Sequence, residues 1–226
     1  MPKCKDDESC YIIGNNNNTY TIIFCHGLGD HSTSWIFFAN EVSKNIKNIK
    51  FILPNAPSNP VTANSNKMMT SWFDIINIPI LDDKTKDYKY IDRSINDIHK
   101  IIDSEVDRGI SPKNIMIGGF SQGASLSLIS CLKYKYELGG IVMFSGWLLN
   151  NYDVSKFKER PNIPIFIAHG DNDKIVSHEN YHIILNALKK SKFKNLSNKI
   201  YNNMGHNTCT KQIDDFVNWL KCYTSI

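Results

Sequence analysis

Ile115-Met116-Ile117-Gly118-Gly119-Phe120-Ser121-Gln122-Gly123 is the stretch whose reading decides the fold. Residues 119–123 match G-x-S-x-G, a pattern that is common by chance. Its setting gives it weight. A short apolar run, Asn114–Ile117, reads as a strand, and a helical pattern runs from Ser121 through about Lys133. A serine on a sharp strand-to-helix turn is held in strained backbone, with its hydroxyl exposed above the sheet edge. Glycines are needed at 119 and 123, where a side chain would collide with the neighbouring strand or helix. The start of the helix also points its positive end toward any developing oxyanion.

Outward from this turn, apolar runs alternate with amphipathic stretches. Tyr11–Ile13 and Thr21–Cys25 bracket the tetrad Asn15–Asn18 and read as a hairpin. Lys50–Leu53 is a short strand stopped by Pro54. Ile91, Ile95, Ile98, Ile102 and Val106 recur at helical spacing, so 90–108 is a helix that ends at Gly109. Ile141–Phe144 and Ile165–Ala168 are strands of the continuous apolar kind buried on both faces. A helix over 178–190, a strand at Lys199–Tyr201 and a last helix presenting Ile213, Phe216, Val217 and Leu220 complete the series. Repeated β-then-α order predicts a mainly parallel sheet with helices on both faces, and the serine turn makes this an α/β-hydrolase fold, with no cap domain. The gap between Phe144 and Ile165 leaves no room for a lid. One domain is expected over 1–226, with 1–10 as a polar tail.

A serine hydroxyl needs a base, and the base needs an orienting acid. In this fold the chain order is Ser, acid, His. His178, His182 and His206 come late enough to close it, and His206 sits in a loop between a strand and the last helix. The acid comes from His169-Gly170-Asp171-Asn172-Asp173, where either Asp171 or Asp173 can serve. An oxyanion needs two backbone N–H donors. Gln122 supplies one, and Leu28 in His26-Gly27-Leu28-Gly29-Asp30 the other.

With these residues in place, the chain resembles the acyl-protein thioesterase family, also described as lysophospholipase or carboxylesterase-like. The resemblance runs from about Thr21 to the end. It rests on His26-Gly27-Leu28-Gly29-Asp30, Ala56-Pro57 with Pro60-Val61-Thr62, Ser71-Trp72-Phe73-Asp74, the elbow itself and His169 to Asp173. It implies a triad of Ser121, Asp173 and His206, N–H donors at Leu28 and Gln122, and Trp72 along an acyl channel. Asp173 also lies further past the strand end than Asp171, so it reaches further over the sheet edge. The implied activity is removal of long-chain acyl groups, chiefly palmitate, from cysteine thioesters on proteins. Ala124 stands where the family usually has glycine, and Lys174 where it usually has proline.

Met68, Met69, Trp72, Phe73 and Trp147 are apolar candidates for the channel lining. A lysophospholipase or small-ester carboxylesterase acting on acyl-ester lipids is the alternative within this chemistry. From another class, His178-Glu179-Asn180-Tyr181-His182 fits the H-E-x-x-H of a zinc protease. Glu179 is the last glutamate, however, and no third ligand follows at metzincin spacing. No metal or cofactor is expected. The net charge of +4 is dispersed, so no nucleic-acid partner is expected either. Six cysteines without close spacing suggest a reducing compartment, with Cys25 and Cys131 as small core residues. The first residues hold no apolar signal region, which places the expected site in the cytoplasm with at most transient membrane contact. Acylation of Cys4 or Cys10 would provide that contact.

Overall fold

The computed structural model describes residues 9–14, 17–81, 88–150, 152–157 and 160–224. Cys4, most of the polar tail and Asn15–Asn16 lie outside them. The strands are β1 (Cys10–Ile13), β2 (Tyr20–Cys25), β3 (Ile49–Pro54), β4 (Ser58–Val61), β5 (Lys67–Thr70), β6 (Ile115–Phe120), β7 (Gly140–Phe144), β8 (Ile165–Gly170) and β9 (Leu196–Tyr201). The helices are α1 (Ile36–Asn45), α2 (Tyr88–Asp107), α3 (Gln122–Lys133), α4 (Glu179–Lys190) and α5 (Thr210–Lys221).

Seven strands form one sheet in the order β1-β3-β2-β6-β7-β8-β9, parallel throughout except for β1. Ile117 lies opposite Ile23 on one side and Ile141 on the other, so β6 is central. Successive side chains on a strand point to opposite faces, which divides the core in two. Ile141 and Met143 pack with the buried residues of α2, α3 and α4, whereas Val142 and Phe144 pack with those of α1 and α5. Both faces are thus covered, and the strands need the near-continuous apolar runs seen in the sequence. Cys25 and Cys131 are fully buried, and burial pushes the Cys25 thiol up to about 12. No described helix is long and apolar enough to cross a membrane.

The expected hairpin between β1 and β2 does not form. β3 lies between them, antiparallel to β1 and parallel to β2. Burial explains the order. Every residue of β3 is buried, and its Lys50 places Nζ 2.5 Å from Glu105 Oε2 on α2. Such a strand needs a neighbour on each side, while Tyr11 and Ile12 of β1 are exposed and suit the edge. Two features had no reading in the sequence, namely α1 and the small β4–β5 ribbon.

Parallel strands place their carboxyl ends along one edge. The segments that follow β2, β6, β8 and β9 carry His26–Asp30, Ser121, Asp173 and His206 respectively. Residues scattered over 180 positions of chain therefore meet at that edge, where sites form in open α/β sheets.

Candidate active site

Ser121 has φ +55° and ψ −120°, outside the regions a serine favours, and stands as the N-cap of α3 rather than its first residue. Its N–H donates to the Phe144 carbonyl at 2.8 Å, which locks the turn to β7. A Cβ at Gly123 would fall 2.2 Å from the Cys25 carbonyl oxygen, and one at Gly119 2.5 Å from the same atom. Both glycines are required for β6 and α3 to approach β2 this closely. Such backbone strain costs about 1–3 kcal/mol and persists because the surroundings over-determine it.

The Ser121 hydroxyl meets His206 Nε2 at 3.0 Å, and His206 Nδ1 meets Asp173 Oδ2 at 2.7 Å. A carboxylate can only accept, so Nδ1 carries the ring proton and Nε2 is left to accept from Ser121. Asp173 is buried, and its Oδ1 accepts the N–H groups of Ile175 and Val176, each at 2.9 Å. His169 Nε2 lies 3.3 Å from Asp173 Oδ2 and 3.0 Å from the Val176 carbonyl. Both neighbours are acceptors, so that nitrogen also carries a proton. Burial alone would raise the Asp173 carboxyl. The hydrogen bonds from His169 and His206, with the nearby His206 ring and the Val176 N–H, hold it well below the usual carboxylate range. Asp171 faces elsewhere: it is exposed, and its Oδ1 accepts the Asn203 N–H at 2.7 Å, bracing the turn after β9.

The loop after β2 is fixed from several sides. Gly29, at φ +73°, donates its N–H to the Thr70 carbonyl at 2.8 Å. Asp30 accepts the His31 N–H and the Trp35 indole N–H on its two oxygens. His26 is buried, accepts the Ala56 N–H on Nε2 at 3.0 Å and so donates from Nδ1 to the Gly27 carbonyl at 2.7 Å. Burial lowers its pKa, so the ring stays neutral. Among the described residues, neither the Leu28 nor the Gln122 backbone N–H has a hydrogen-bond partner. Their surroundings, by contrast, are fully tied.

Beside Ser121 lies an apolar groove of about 170 Å³. Leu28, Ile75, Ile78, Ile80, Trp147 and Val176 are among its walls, together with Ser121 and His206. Trp147, one of the apolar candidates from the sequence, is among the residues that line it. Trp72 and Phe73 are buried but do not line this groove. Trp72 instead donates its indole N–H to the His26 carbonyl at 2.9 Å and its backbone N–H to Gln122 Oε1 at 3.0 Å. Phe73 packs edge-on against Trp147, behind the wall. Met69 sits under Gly29, and Met68 is exposed. Ala124 is fully buried and faces Gly146, where a Cβ would come within 2.8 Å of the Ala124 methyl. Lys174 is exposed, one residue from the groove-lining Ile175.

Three participants had no reading from the sequence: His169, Asp30 and the side chain of Gln122. The Gln122 amide bonds Ser71, Trp72 and Phe73 from far along the chain and so leaves no local pattern. Asp30 bonds His31 and Trp35, and His169 bonds Asp173 and Val176, within segments whose shape only the fold sets.

His178 and His182 lie one turn apart, His178 as the N-cap of α4, with ring centroids 6.1 Å apart. Among the described residues no group of three or more His, Cys, Asp or Glu could hold a metal ion there or elsewhere.

A family model described as phospholipase/carboxylesterase matches residues 9–224. Acyl-protein thioesterase 1 of Cryptococcus neoformans is 35% identical over 218 residues, covering 90% of this chain and 92% of the relative. Carboxylesterase SOBER1 of Arabidopsis thaliana is 34% identical over 208 residues, covering 88% and 89%. The crystal structure of Arabidopsis thaliana SOBER1 superimposes with a TM-score of 0.82 at 31% identity, covering 90% of this chain and 98% of that one. The chain belongs to the phospholipase/carboxylesterase family of α/β-hydrolases.

Proposed function

We propose that the protein removes long-chain acyl groups from cysteine thioesters of other proteins through an acyl-enzyme on Ser121. The observation that carries the reading is the hydrogen-bonded line Ser121–His206–Asp173, whose Ser121 and His206 line an apolar groove. His206 Nε2 takes the Ser121 proton as Oγ attacks the acyl carbon. The negative oxygen is received by the N–H groups of Leu28 and Gln122, which preorganised donors stabilise by several kcal/mol. Asp173 holds the imidazole in its Nδ1–H tautomer and balances the imidazolium. His206 then gives the proton to the departing sulfur, and water repeats the sequence on the acyl-enzyme. A thiol leaves readily, since its pKa of about 8.5 is far below that of an alcohol.

The similarity to acyl-protein thioesterase 1 supports the substrate class, and the groove supports an acyl chain. Ile78 and Ile175 line the groove and are 45% and 40% exposed, so a long chain continues along them past the enclosed part. The substrates would be met from the cytoplasm, with at most transient membrane contact. The likeness to carboxylesterase SOBER1 favours one second reading, a small-ester carboxylesterase. Hydrolysis of matched thioesters and oxyesters from butyryl to stearoyl separates the two. Each buried methylene adds about 0.8 kcal/mol, so efficiency should climb to chains of about eight carbons or longer. A flat or falling series would favour the carboxylesterase.

A further inference from the structure

A second depression, open and of about 410 Å³, adjoins the acyl groove. Asp30, Phe120 and His206 border both, and the remaining walls are unshared. We propose that it receives the leaving half of the substrate, the polypeptide that flanks the acylated side chain. The inference rests on the reading above and deepens it.

The chemistry fixes the side. The Ser121 Oγ–C bond forms, the C–S bond breaks, and the sulfur takes from His206 the proton that came from Ser121. The acyl chain lies in the groove that contains Ser121, so the sulfur and all that is attached to it lie toward His206. The second depression touches His206 and shares neither Ser121 nor Leu28 with the first.

Its lining identifies the occupant. No Lys or Arg is among the lining residues, and a carboxylate, Asp30, stands at the partition. A leaving group that carries phosphate, such as a lysophospholipid or coenzyme A, finds no counter-charge there. Ser34, Thr208 and Thr210 offer hydroxyls and Asn207 an amide to a peptide backbone. Phe37, on α1, is 68% exposed and supplies the aromatic anchor that peptide interfaces favour.

The test compares wild type with Phe37→Ala on two substrates that share one acyl chain: an acylated peptide and the N-acetylcysteamine thioester. Phe37 is exposed, so truncating it leaves the core intact. The ratio of kcat/KM for peptide over small thioester should fall about fivefold or more, mainly through KM. Ser34→Lys should raise turnover of the coenzyme A thioester relative to the peptide. An unchanged ratio in Phe37→Ala, or wild-type preference for the coenzyme A thioester, would overturn the assignment. So would a dimer that Phe37→Ala dissolves without changing the ratio, which would make the occupant a second copy of the chain. The peptide and a small substrate are also made as O-acyl serine compounds. Failure of thioester turnover alone would then refute the thioester reading, while the Phe37 ratio is still read on the oxyester pair.

Discussion

The side-chain oxygen of Gln122 accepts the backbone N–H of Trp72 at 3.0 Å, so the residue after Ser121 is tied to the segment beneath the β2 loop. The same Gln122 amide donates to Ser71 Oγ and the Phe73 carbonyl, and the Trp72 indole continues the chain to the His26 carbonyl. One hydrogen-bonded circuit thus links the two backbone donors assigned to the oxyanion. Trp72 serves as a strut in that circuit and is not among the residues that line the apolar groove.

Trp72→Phe keeps an aromatic ring and removes the indole N–H. A lost hydrogen bond of this kind costs about 1–3 kcal/mol when its partner stays buried. If that cost falls on loop geometry, kcat should drop about tenfold or more while acyl-chain preference stays constant. Kinetics over the acyl series check this. A shift in chain-length optimum with normal kcat would return Trp72 to the channel wall.

Asp173→Asn should keep the fold but favour the wrong His206 tautomer, lowering turnover on the order of 10⁴-fold. Asp171→Asn retains an acceptor for the Asn203 N–H and should cost little. The pH dependence has a definite sign. The Asp173 carboxyl lies lower in the folded protein than in the unfolded chain, so its ionised form stabilises the fold above the unfolded pKa of about 3.9. That stabilisation is lost as pH falls through the carboxylate range. The gap in Tm between wild type and Asp173→Asn should therefore hold steady above about pH 5 and narrow as pH falls below it. A constant gap would show that Asp173 is not ionised by preference in the fold.

Much of this arrangement could be read from the chain. β6, the turn at Ser121 and α3 follow from an apolar run meeting a glycine-rich turn, and α2 from isoleucines at helical spacing. The rest depends on tertiary partners. β3 looks like any short apolar run, and only the Lys50–Glu105 pair reveals its interior place. α1 buries Phe38, Ala39 and Val42, too few positions to set a period, and Phe37 beside them points outward. In the β4–β5 ribbon, Asn59 and Pro60 argue against a strand, yet Asn59 is kept by its side-chain bond to the Ser71 carbonyl at 2.7 Å. The apolar ring of Trp72 and the family resemblance both point to a channel wall, whereas its indole N–H is held by the His26 carbonyl away from the groove lining.

Lys50 and Glu105 are both buried, and Glu105 Oε2 also accepts the Thr21 hydroxyl at 2.8 Å. Glu105→Ala would leave the lysine buried without its counter-charge and should cost about 3–5 kcal/mol. Lys50→Met with Glu105→Leu should recover most of that loss, because it removes both charges. Urea denaturation of the three proteins measures it. Equal stability of Glu105→Ala and wild type would mean that the pair does not anchor α2 to the sheet.

The central claim is that Ser121 is the nucleophile, and active-site labelling tests it most directly. A fluorophosphonate probe, located by peptide mass analysis, should modify Ser121 alone. Ser121→Ala should abolish labelling and reduce turnover by about 10⁴–10⁶-fold at unchanged Tm. Labelling at another residue, or near-normal turnover by a folded Ser121→Ala enzyme, would contradict it.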